Sequence, residues 1–136
     1  MDTLNSDSRY AIASNVLFAI GLIDLLRGVL HTFFSNWAAR TFAKLDLTSA
    51  REDQLAILGA FGMSNLLTGA IFILISRKAQ PISEWVLLAI PSAYIAGIVG
   101  MRMSGVRRKS AFYGRYFMLA YLLVCLATFV WSRLHS

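Results

Sequence analysis

The sequence predicts an all-α integral membrane protein, a four-helix bundle with both termini on the same side, built as a single transmembrane domain over residues 1–136. Three observations predict it. Hydrophobic residues make up 57% of the 136 positions and charged residues only 15%, where soluble domains carry about a quarter charged. The mean hydropathy is correspondingly high, at +0.61. Four apolar stretches, at about 11–33, 54–76, 82–101 and 113–132, each have the roughly twenty residues needed to cross about 30 Å of hydrocarbon as helix.

The first span runs from Ala11 to Phe33 and carries Asp24, Arg27 and His31. The N-terminus before it lacks the basic start of a signal peptide, so this run is expected to stay as a span. The connection at 35–48 holds Trp37, Arg40, Phe42, Lys44 and Leu45 and is expected to extend the first helix into the interface or lie on the membrane surface. Ser49-Ala-Arg-Glu52 reads as a capping box, serine and glutamate each bonding a free amide of the first turn, and so starts the second helix near Ser49. The polar stretch Arg77–Glu84 is a short turn, with Pro81 placed to open the third helix. Pro91 lies inside span three and is expected to kink it, because its ring clashes with the preceding turn. Gly105 marks the third connection. Cys125 is the single cysteine, so no disulfide forms within the chain, and in an apolar stretch it reads as a small core or lipid-facing residue.

The net charge of +6 would point to nucleic acid in a soluble protein. Here the basic residues flank apolar spans, so no nucleic-acid partner is expected and anionic lipid headgroups are the natural contact. Arg107, Arg108, Lys109 and Arg115 are the candidates for that contact. Setting Arg27 aside, eight lysines and arginines lie on the side of loops one and three and four on the other. The positive-inside rule then puts loops 34–53 and 102–112 in the cytoplasm and both termini outside, in a plasma or bacterial inner membrane. Tyr10, Trp85 and Trp131 suit an outer aromatic belt, and Trp37, Tyr113 and Tyr116 an inner one.

The candidate site follows from depth. A charged side chain near the centre of a span costs from about 3 to more than 10 kcal/mol unless it pairs or snorkels. Residues three, four and seven apart share a helix face, so Asp24, Arg27 and His31 form one polar stripe, with Asp24 and Arg27 spaced for a salt bridge. Asp24 lies roughly 3 Å from the span centre, Arg27 roughly 7 Å and His31 roughly 13 Å toward loop one. Asn65 falls near the centre of span two, and Tyr94 in span three and Tyr121 in span four fall within roughly 5 Å of the midplane on the Asp24 side. Asp24, Asn65, Tyr94 and Tyr121 are therefore expected to meet in one layer, one from each helix. Arg27, His31, Arg115 and Tyr116 would line a route from it to the inner surface.

Taken singly, Asn65, Tyr94 and Tyr121 read more simply as interhelical hydrogen bonds, which average about 0.6 kcal/mol each in membranes. Gly62 and Gly69 share a face with Asn65, and Gly97 shares one with Tyr94, so both stretches read as close-packing surfaces. An intramembrane Asp–Arg pair points to function by default, although it also serves as a structural clamp. His31 has no second buried histidine to complete a bis-histidine haem, and no cluster of His, Cys or carboxylate completes a metal site. No cofactor is expected. No nucleophile elbow, phosphate loop, HExxH or CxxC is present.

Three function classes remain. The first is a non-enzymatic accessory subunit, or a binder of a lipophilic ligand or lipid in an intramembrane polar cavity. It is compatible with a membrane protein partner or a homo-oligomer. The second is a small proton-coupled transporter using Asp24. A bonded Arg27 weighs against it, because an adjacent cation favours the charged carboxylate. The third is an enzyme on a lipid-soluble substrate, with Asp24 or His31 as acid or base. The sequence favours the first and ranks the enzyme last.

Overall fold

The structure, a computed structural model, describes the backbone of residues 2–105 and 114–135 and the side chains of residues 10–105 and 114–135. It is an all-α bundle of four long helices, α1 (Asp2–Phe33), α3 (Arg51–Lys78), α4 (Ser83–Met103) and α5 (Gly114–Leu134). A single helical turn, α2 (Ser35–Ala38), follows α1. All four long helices have the length and apolarity to cross a membrane. Many large apolar side chains, among them Leu26, Ile57, Leu67, Ile95 and Leu123, are exposed on their outer faces. Exposed apolar surface on this scale is disfavoured in water and suited to hydrocarbon, which makes this a small membrane protein.

The connection after α1 stays helical. The turn α2 runs into a wider, π-type turn over Ala39–Ala43 that stops where Lys44 adopts a left-handed conformation at φ 44°. Ala38, Ala39 and Ala43 are buried, and their small side chains let the segment lie close against the ends of α1 and α3. Trp37 and Phe42 meet edge to face at 5.1 Å, a favoured aromatic geometry.

The expected capping box does not form. The residue before α3 is Ala50, left-handed at φ 50°, and no side chain caps the helix. Gln54, in the first turn of α3, instead donates from Nε2 to the carbonyls of Asp46 and Ser49, both at 2.9 Å. With Ala50 left-handed, the chain enters the helix at an angle that a capping box does not use. Asp46 accepts hydrogen bonds from the hydroxyl and backbone N–H of Thr48, and these hold its carboxyl below the usual carboxylate range. The turn before α4 is tighter than expected: α3 runs to Lys78, Pro81 sits in a short 3₁₀ turn over Gln80–Ile82, and α4 starts at Ser83, so Pro81 precedes the helix and does not open it. Helix α4 continues through Pro91.

Helix α1 is the hub. It packs on α3 along one side and on α4 and α5 along the other, whereas α3 and α4 scarcely meet. The α1–α3 seam is set by glycines seven residues apart on each helix, Gly21 and Gly28 against Gly62 and Gly69. A Cβ at Gly69 would stand 2.7 Å from the Gly21 carbonyl oxygen, and one at Gly28 2.8 Å from the Leu66 nitrogen. One at Gly62 would stand 2.7 Å from the Thr32 nitrogen. Backbones approach this closely only where side chains are absent, which is how small residues drive helix association without a hydrophobic effect. On the other side of α1, Ala13, Leu17, Ile20, Leu87, Ile90, Tyr121 and Cys125 form the core shared with α4 and α5. Cys125 thus belongs to the interior of the bundle.

Candidate functional site

Because α1 holds α3 on one flank and the α4–α5 pair on the other, a wedge opens between α3 and α4. It encloses a cavity of about 810 Å³ with α1 as its floor, a volume within the range of small-molecule sites. Along α4 the cavity runs from Ile90 to Met101, roughly 16 Å at 1.5 Å per residue, about half the hydrocarbon thickness. Its walls are mostly apolar, from Phe61 and Phe72 on α3 to Ile98, Met118 and Leu122 on α4 and α5.

The polar groups concentrate on the floor and at one end. Asp24 is 5% exposed, and both of its oxygens are engaged. Arg27 donates from Nη1 to Oδ1 at 3.2 Å, and the Tyr121 hydroxyl donates to Oδ2 at 3.0 Å. The first contact follows from i, i+3 spacing on one helix. The second joins α5 to α1 across 97 positions of sequence. A buried ion pair needs further hydrogen bonds to offset the desolvation of its charges, and Tyr121 supplies one.

Asp24, Arg27, Asn65, Tyr94, Arg115, Tyr116 and Tyr121 all line the cavity. The structure therefore brings the four residues of the expected polar layer to one space, in a looser arrangement than direct contact. Asp24 bonds Tyr121, while the Tyr94 hydroxyl lies 3.8 Å from the sulfur of Met118. Asn65 is 7% exposed, and its amide nitrogen has no hydrogen-bond partner among the described residues. Arg115 donates to the Tyr116 hydroxyl at 2.6 Å and lies over that ring, 4.6 Å from its centre.

His31 is not among the residues lining the cavity. It turns toward α3, its Cβ against Gly62 and its ring 6.2 Å from that of Phe61. Gly97 also departs from expectation. A Cβ there would meet nothing within 4 Å, so this glycine widens the cleft and is not a close-packing contact. Arg107, Arg108 and Lys109 lie outside the described residues. Ser64, Thr68, Met101 and Met118 are cavity residues that sequence reasoning did not single out. Ser64 and Thr68 sit beside Asn65 at helical spacing, a signal available in the sequence.

A second buried carboxylate escaped sequence reasoning altogether. Glu84, at the start of α4, is 3% exposed. It accepts from the Ser132 hydroxyl at 2.8 Å and from Arg133 at 3.5 Å. Nearby, Ser14 on α1 donates to the Ser76 carbonyl on α3. These contacts tie helix ends together at the edge of the bundle, away from the cavity.

The arrangement offers a mostly apolar chamber with a polar floor, open where α3 and α4 stand apart. Among the described residues no three His, Cys, Asp or Glu side chains group closely enough to hold a metal ion. Neither a known protein family nor a curated protein nor a solved structure matches the chain.

Proposed function

We propose that the chain crosses the membrane four times, with both termini on one face and its basic connections in the cytoplasm, and binds a lipid-soluble molecule in the cleft between α3 and the α4–α5 pair. One observation carries this reading: a cavity of about 810 Å³ whose walls are apolar and whose floor holds buried polar side chains. That pairing of surfaces matches an amphiphile, apolar along its length and polar at one end. The gap between α3 and α4 provides lateral access from the bilayer.

Both oxygens of Asp24 are occupied, and this favours a fixed wall of a binding site over a carboxylate that loads and releases a proton. Four helices with one such wall need no second conformation to hold a ligand. The bilayer's anionic headgroups, the basic connections and a protein partner or second copy are compatible with this role.

A neutral photoreactive probe, a long-chain alcohol carrying a diazirine, tests the reading on purified protein in maltoside micelles. Labelling is expected to saturate and to map to Met101, Met118 and their neighbours. It is expected to fall in Gly97→Leu, whose side chain enters the cleft. Labelling that rises linearly with probe and ignores this substitution overturns the reading.

A further inference from the structure

The polar groups of the cleft are unevenly matched, and the mismatch specifies the head of the ligand. Asp24, the one carboxylate among the described lining residues, has both oxygens taken by Arg27 and Tyr121, so it offers little to an incoming donor. The donors are in excess. Arg27 spends Nη1 on Asp24 and has further N–H groups in its fork. Arg115 lines the same cavity, and among the described residues its hydrogen-bond partner is a neutral phenol, Tyr116. Asn65, a side chain more than nine-tenths buried, also lines the cavity, and its amide nitrogen is enclosed with no hydrogen-bond partner among the described residues. A buried donor left unpaired is costly, and a half-turn of this amide presents it to an acceptor in the cavity.

Among the described lining residues, two guanidinium charges stand against one carboxylate, a net single positive charge. By helix rise, Arg115 lies roughly 9 Å before Tyr121 on α5, and Arg27 roughly 4.5 Å past Asp24 on α1. Helix α5 runs opposite to α1, and Tyr121 bonds Asp24, so both arginines lie on the same side of the Asp24–Tyr121 contact. Asn65 sits level with them, since the neighbouring Leu66 backbone abuts Gly28. Arg27, Asn65 and Arg115 therefore form one donor-rich end, and the apolar walls lead away from it.

We infer that the cleft selects an amphiphile with an anionic oxyacid head, a carboxylate or a phosphate. The head accepts hydrogen bonds from Arg27, Asn65 and Arg115, and the acyl chain lies along the α3–α4 gap. Guanidinium groups recognise such heads by charge-assisted, often bidentate bonds. This inference rests on the proposed binding function and names the chemical class of its ligand.

The test compares four ligands of one chain length on the purified full-length protein in neutral maltoside micelles: oleate, oleyl alcohol, oleoyl lysophosphatidate and mono-oleoylglycerol. Affinity is read by displacement of the neutral photoreactive probe. At least one acid is expected to bind about tenfold or more tightly than its neutral counterpart, and the tighter acid identifies the head as carboxylate or phosphate. Arg115→Gln is expected to erase most of that preference, weakening the acid more than the alcohol. Asn65→Leu, which removes an unpaired donor, is expected to keep the melting temperature and weaken the acid. Equal affinity for acids and neutral lipids overturns the anionic head and leaves the binding function standing. Full preference retained in both variants overturns the assignment to these residues. Saturable binding of none of the four overturns the binding function itself.

Discussion

The two flanks of α3 are built from similar residues to opposite ends. Toward α1, Gly62 and Gly69 bring backbones together until no methyl group fits between them. Toward α4, across from Gly97, a void of about 810 Å³ opens. Both flanks are rich in small and weakly polar residues, so composition alone does not separate seam from cleft. Separation comes from what α1 does. Glycines at seven-residue spacing dock α3 on one side of it, the Ala13–Leu17–Ile20 surface docks α4 and α5 on the other, and α3 and α4 are left apart. Lipid supplies no hydrophobic drive to close such a gap. The teaching is that a tight interface and an open site are two consequences of one hub helix.

The comparison breaks most severely at the clamp that fixes α5 to α1 and so defines the back of the cleft. Asp24→Ala strands the Arg27 charge and the Tyr121 hydroxyl, and loss of one member of a buried pair costs about 3–5 kcal/mol. A large drop in thermal stability in micelles is the expected result. Tyr121→Phe removes a single hydrogen bond and is expected to cost only about 1 kcal/mol. Equal stability of Asp24→Ala and the unmodified chain would show that core packing alone holds the cleft's back wall.

The next effect sharpens the contrast directly. Gly69→Ala places a methyl group against the Gly21 carbonyl and the Leu25 nitrogen, backbone atoms that have no rotamer to yield. Overpacking of this kind costs about 1–3 kcal/mol. Gly97→Leu adds a larger side chain where nothing stands within 4 Å, so its stability is expected to change by less than about 0.5 kcal/mol while probe labelling falls. Thermal melting and labelling of the two variants side by side distinguish seam from cleft. If Gly97→Leu destabilises as much as Gly69→Ala, the wedge is closed in the folded protein.

Much of this was readable in the sequence. Span lengths gave the four helices. The three-residue spacing of Asp24 and Arg27 gave their pair, and depth matching put Tyr121 opposite Asp24. Gly62 and Gly69 read as close-packing residues on the face they share with Asn65. Gly97 was read the same way, because a missing side chain looks identical whether a neighbouring helix or a void lies beyond it. Glu84 escaped because it sits in a polar turn and its partners lie 48 and 49 residues away. His31 shares a stripe with Asp24 by spacing, yet it turns to α3. Two turns of helix rotate a residue by about 20° from a strict seven-residue repeat, and α1 has α3 on one flank and the α4–α5 pair on the other, so a small rotation changes the neighbour. The Ser49–Glu52 pattern failed as a cap because Ala50 enters α3 in a left-handed conformation, a backbone choice that the motif does not encode.

The smallest expected effect is also the one of opposite sign. Gly59 lies in α3, ten residues before Gly69, and a Cβ there would meet nothing within 4 Å. Its backbone is helical, a conformation that alanine adopts without strain. Gly59→Ala therefore removes freedom from the unfolded chain and adds no clash, an exchange that stabilises by about 0.4–1 kcal/mol. The same substitution at Gly69 has the same propensity gain, but the contact with the Gly21 backbone outweighs it. A rise in melting temperature for Gly59→Ala and a fall for Gly69→Ala would show that position on the hub, and not the residue type, decides what a glycine contributes to α3. A fall at both positions would mean that a further surface covers Gly59 in the assembled protein.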